Sequence, residues 1–96
     1  MVVKWSRLAA TRLQAAYDYI VVDSFSNAEK IRNEIIRVTS DLPRYPERYP
    51  PDKYKETNNG DFRVFEKYRY RISYWHKPHE IVIVRVRHTS KRPVLY

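Results

Sequence analysis

Apolar residues return every three or four positions in the first half of the chain and every second position in the last third. Ala9, Leu13, Ala16, Tyr17 and Ile20 share one side of a helix, while Arg7, Arg12, Gln14 and Asp18 fall elsewhere. Ser6 stands where that helix needs a cap, and Val2 to Trp5 before it reads as a short strand. A second helix is announced by "SNAE", where Ser26 and Glu29 have capping-box spacing. Its stripe is Ala28, Ile31, Ile35, Val38 and Leu42, so the two helices pack as a hairpin or lie together on a sheet.

The chain then changes character. "LPRYPERYPPDKYKETNNGD" holds most of the prolines and the single glycine, which excludes both a helix and a central strand. Its tyrosines, Tyr45, Tyr49 and Tyr54, are expected to cover a core edge or the mouth of a groove. Three strands follow: Phe62 to Glu66, Tyr68 to His76 and Glu80 to His88, joined by short turns into an antiparallel meander. Val94 to Tyr96 either adds a fifth strand or lies against the sheet.

Strict alternation gives Tyr70, Ile72, Tyr74, Val82, Val84 and Val86 to the face that the helices cover. Arg69, Arg71, Arg85 and Arg87 then share the opposite face, with Ile81 and Ile83, and Arg63 can join them. Like charges on neighbouring strands repel, so this face is expected to be kept for an anionic partner. The expected fold class is α+β: a short strand and a two-helix hairpin on one face of a mainly antiparallel sheet of four or five strands.

Length and charge narrow the function. A chain of 96 residues makes one domain, spanning 1–96, and 43% hydrophobic residues supply a core. The formal charge is +8, and nine Lys and Arg against two Glu place most of it between Arg63 and Tyr96. There is no cysteine, which removes disulfides, thiolate zinc sites and cysteine nucleophiles and fits a reducing cytoplasm. No signal peptide or membrane span is expected, since the longest apolar run is "IVIV". Scattered carboxylates and isolated histidines suggest no metal, and one glycine builds no nucleotide loop, so no cofactor is expected.

The element order, the strand "YRYRISYW", the strand "IVIVRVRH" and the short basic tail together resemble the RelE/ParE family of bacterial toxins, over essentially the whole chain. The resemblance implies a toxin neutralised by a cognate antitoxin protein in a hetero-oligomer. It leaves two molecular targets. A RelE-like toxin enters the ribosome and cleaves mRNA without a metal; a ParE-like toxin inhibits DNA gyrase and has no nuclease role. The nuclease reading is taken as the main expectation, with the gyrase inhibitor as its alternative.

For RNA cleavage, the 2′-hydroxyl must lose a proton and the phosphoryl oxygens need cations. The resemblance assigns Arg71, Arg87, Tyr96 and Arg63 to this chemistry, with Arg92 competing for the place of Arg87 and the Lys53/Lys55 pair for that of Arg63. Arg69, Arg85, Lys53, Lys55, Lys91 and Arg92 would hold nucleic acid. His88 reads either as a hydrogen-bonded core histidine or as an acid-base group. A third reading is a nontoxic RNA-binding domain, for which Trp75 is the candidate stacking ring.

Overall fold

Two serines set where the helices begin. A computed structural model describes residues 1–96. Strand β1 (Val2–Trp5) leads into helix α1 (Arg7–Val21), capped by the Ser6 hydroxyl, which accepts from the Ala9 N–H at 3.1 Å. Helix α2 (Phe25–Asp41) is capped by Ser24, whose hydroxyl accepts from the Asn27 N–H at 3.1 Å, so the predicted Ser26 box does not form. Glu29 instead ties the helices together, accepting from the Tyr17 hydroxyl at 2.6 Å and from Arg32 at 2.9 Å.

Strands β2 (Phe62–Lys67), β3 (Tyr70–His76) and β4 (Glu80–His88) complete a four-stranded sheet of order β1-β4-β3-β2. Only β1 and β4 are parallel. The α+β class and the helical hairpin on one sheet face are as expected, while Val94–Tyr96 forms no strand.

The predicted faces need one correction. Ser73 pairs with Arg85 and Tyr74 with Ile83, so Val84 is an extra residue that restarts the alternation of β4. Ile81 and Ile83 therefore join Val86 under the helices at 0%, 0% and 4% exposure, and Val82 and Val84 are only half-buried. Strict alternation had put both isoleucines with the arginines. Burying either isoleucine is worth roughly 1.5–3 kcal/mol, enough to favour a bulge over exposing them.

The core joins these residues to Ala9, Ile35, Val38 and Leu42 from the helical half and to Phe65, Tyr70, Ile72 and Tyr74 from the sheet. Of the apolar positions predicted for α2, Ala28, Ile35, Val38 and Leu42 are buried and Ile31 is partly so; on α1, Ala9 is buried and Leu13, Ala16 and Ile20 are partly so. Arg63 shares a face with Tyr74, its pairing partner, so it points towards the helices and not towards the other arginines. Its guanidinium donates to the Tyr49 carbonyl at 2.7 Å and the Glu47 carbonyl at 3.3 Å. Its Nε is buried without a partner.

Those bonds fasten the proline-rich loop along the outer edge of β2. Val64 donates to the Pro50 carbonyl at 3.0 Å, Asp52 to the Phe62 carbonyl at 2.8 Å, and the Tyr74 hydroxyl to the Pro46 carbonyl at 2.7 Å. An edge that would otherwise offer itself to another chain is partly covered. Tyr49 packs on Phe65 with ring centroids 5.1 Å apart, as expected for a core-edge cover, whereas Tyr45 is exposed.

The β2–β3 turn also differs from expectation. Tyr68 and Arg69 are not strand residues; both have left-handed backbones, with φ of 50° and 68°. Two such residues close a two-residue hairpin of the type that normally takes Asn-Gly.

Tyr74 carries a testable consequence. Burial pushes its hydroxyl from 10.0 up to about 12. Because the folded value lies above the unfolded one, Tyr74's contribution is complete below pH 10.0 and is lost as pH rises through about 12. Tyr74→Phe should cost on the order of 1 kcal/mol near neutrality through the lost bond to Pro46. Its stability should then fall less steeply than wild type in alkali. Chemical denaturation across this pH range checks both; parallel curves would contradict the assignment.

Candidate functional site

On the face turned away from the helices, the bulge sets Arg85 and Arg87 beside Arg71 and Ser73 of β3. Arg71 stands directly opposite Arg87, and Arg85 opposite Ser73. The three arginines and Lys91 line an open cleft with Asp52, Tyr54 and Ser73. Burial first, and Arg87 second, pull the Arg85 guanidinium below its ordinary range. That is the expected signature of a like-charged pair brought partly out of water.

The cleft is not the vacant cradle that alternation suggested, because the C-terminal segment lies across it. Arg85 donates to the Val94 carbonyl at 3.0 Å and Arg87 to the Arg92 carbonyl at 3.1 Å. Arg71 is paired with Glu66 at 2.9 Å and lies over the Tyr54 ring. Arg85 and Arg87 therefore direct these hydrogen bonds to neutral carbonyls and form no salt bridge.

Asp52 anchors that segment. At 2% exposure, its Oδ2 accepts from the Tyr96 hydroxyl at 2.6 Å and from the Ser73 hydroxyl at 2.8 Å, while Oδ1 accepts from the Tyr54 N–H at 3.0 Å. Main-chain bonds from Tyr96 to Tyr54 at 3.0 Å and from Glu56 to Tyr96 at 2.7 Å zip the loop to the tail. The Arg85 guanidinium lies 4.2 Å above the Tyr96 ring. Burial and the Asp52 carboxylate together push Tyr96 ionisation far above its ordinary range.

The sites expected from sequence are thus divided. Arg71, Arg85, Arg87 and Lys91 come together, and Tyr96 lies beside Arg85. Arg63 faces the other way and Arg69 lies in the hairpin turn. Lys55 donates to the Tyr96 carbonyl at 3.4 Å and covers the Phe62 ring, whereas Lys53 stays exposed over Tyr54. Arg92 is exposed and contributes its carbonyl. His88 is hydrogen-bonded to Ser90 through Nδ1 at 2.7 Å and stands edge-on to Tyr70. Trp75 is already stacked on Phe62 at 5.2 Å, with Lys77 over its ring.

Asp52 and Ser73 were missed. Each left a faint signal: an acid two residues before Tyr54 after a Pro-Pro step is an Asx-turn setting, and Ser73 is the lone small polar residue in its strand.

Residues 3–93 match a family model described as the ParE toxin of the type II toxin-antitoxin system, parDE. A solved structure titled as a chromosomal ParDE TA system from P. aeruginosa is similar in fold, with a TM-score of 0.69 and 25% identity. The similarity covers 92% of this chain and 95% of that one. Among curated proteins, nothing matches.

Asp52→Ala should free the tail. It removes three accepted hydrogen bonds from a buried carboxylate, a loss on the order of 3 kcal/mol. Trypsin should then cut after Lys91 much faster than in the wild type, well below the unfolding midpoint. An unchanged cleavage rate would show that something other than Asp52 holds the segment.

Proposed function

The chain belongs to the ParE toxin family of type II toxin-antitoxin systems, and from that premise we propose that it stops growth by binding DNA gyrase, without cutting RNA. The observation that carries this choice is the fate of the Tyr96 hydroxyl. A metal-free ribonuclease needs a group free to take the 2′-hydroxyl proton. Here Tyr96 donates to Asp52, resists ionisation and serves as an anchor. Arg63 is occupied with loop carbonyls, and Nδ1 of His88 with Ser90. Tyr96, Arg63 and Arg87, three of the groups expected to perform transesterification, are engaged in holding the chain together.

The surface supports a protein-binding role in a second way. Tyr19, Val22 and Phe25, at the turn between α1 and α2, are 78%, 82% and 65% exposed. Large apolar side chains left in water around one turn suit a protein interface. A cognate antitoxin, the expected partner in such a module, would neutralise the toxin by covering its working surface. Arg85 and Arg87 form no salt bridge, and their charge favours an acidic segment in that antitoxin.

Induction of the protein in cells separates the two targets. Filamentation with a DNA-damage response and intact transcripts is the expected outcome, suppressed by co-expression of the antitoxin. Arrested translation with transcripts cut at A-site codons would contradict the proposal and return the nuclease reading to first place.

A further inference from the structure

The hairpin tip at Tyr68 and Arg69 is strained in a way that its own packing does not offset. Both residues hold a left-handed backbone without being glycine, asparagine or aspartate. The Tyr68 side chain is not buried to compensate, since the residue is 40% exposed. Arg69 is exposed, and its carbonyl accepts from the Thr89 N–H at 2.8 Å, so the turn is fixed against the end of β4. A sequence selected only for a stable hairpin would place Asn-Gly here. Strain kept at an exposed position points towards use.

The charge around the tip says what kind of use. The Lys30 and Lys67 ammoniums lie 5.3 and 5.4 Å from the centre of the Tyr68 ring. Lys67 has a carboxylate partner in Glu34 at 3.5 Å, and Glu34 is also bonded to Arg37 at 2.6 Å. No carboxylate is paired with Lys30 or Arg69. With two ammoniums already engaging the ring as cation–π partners, the tip offers mainly cationic and hydroxyl donors, which favours carboxylates over a stacked base. The remaining donors, the tyrosine hydroxyl among them, suit carboxylates.

We propose that the Tyr68–Arg69 tip, flanked by Lys30 and Lys67, is a docking point for an acidic segment of a protein partner. Tyrosine and arginine are the residue types that concentrate binding energy at protein interfaces, and a rigid turn presents both with little entropy left to lose. The tip lies apart from the Asp52 anchor, and its role does not depend on gyrase being the target.

The double substitution Tyr68→Asn with Arg69→Gly tests this, since it relieves the strain and removes the contact together. Binding of an oligoglutamate peptide and of a short DNA duplex is measured on the full chain, with Arg12→Gln on α1 as a control that loses the same single charge. The double variant should melt higher, by roughly 5 °C for a domain of this size. It should also bind the peptide about tenfold more weakly, the loss expected of interface anchors. The control should stay within about twofold of wild type, as a distant charge acts only through a screened field. Three results would overturn the proposal: no rise in melting temperature, peptide binding weakened no more than in the control, or a selective loss of duplex binding.

Discussion

One extra residue in a strand governs this molecule. Val84 breaks the two-residue period of β4, so the strand buries Ile81 and Ile83 before it and Val86 after it while sending Arg85 and Arg87 to the far side. Without the bulge, either the isoleucines or the arginines would be misplaced, and both errors cost several kcal/mol through lost apolar burial or through a buried guanidinium. The helical layer and the cationic cleft are two sides of the same irregularity.

The second consequence is electrostatic. Cations opposed across β3 and β4 repel, and the fold provides a single carboxylate partner, Glu66, to the group. It handles the rest by laying its own tail over them, with the Arg92 and Val94 carbonyls as neutral acceptors and Asp52 fixing Tyr96 at the far end. Carbonyls satisfy hydrogen bonds but do not cancel charge, so the face keeps a positive field that acidic partners can use.

Much of this was legible in the order of residues. The stripes Ala9–Ile20 and Ala28–Leu42 announced both helices, and Tyr70, Ile72 and Tyr74 marked the buried side of β3, because these patterns depend only on local period. The bulge was not legible, since "IVIVRVRH" alternates equally well in either phase and only the core decides which residues go inward. Ser24 replaced Ser26 as a cap because both offer a hydroxyl and only the chain's exit from α1 chooses between them. Arg63 turned inward because the register of β2 against β3 sets its side, and register is a tertiary property. The Asp52 to Tyr96 bond spans a long separation that no local pattern encodes. The RelE-like expectation rested on residue types, Arg71, Arg87 and Tyr96, whose presence says nothing of whether they are free to act.

On the proposed reading, that freedom is what would separate a binding toxin from a catalytic one on this scaffold. Here the tyrosine is an anchor and two of the arginines are clasps for the tail, and on the proposed gyrase-binding reading charge and exposed apolar groups are the working features. The most direct measurement is DNA supercoiling by purified gyrase with increasing amounts of the purified protein, alongside ribosomes carrying a labelled transcript. The account predicts that supercoiling fails, that antitoxin restores it and that the transcript stays whole. Undisturbed supercoiling together with a cut transcript would contradict it.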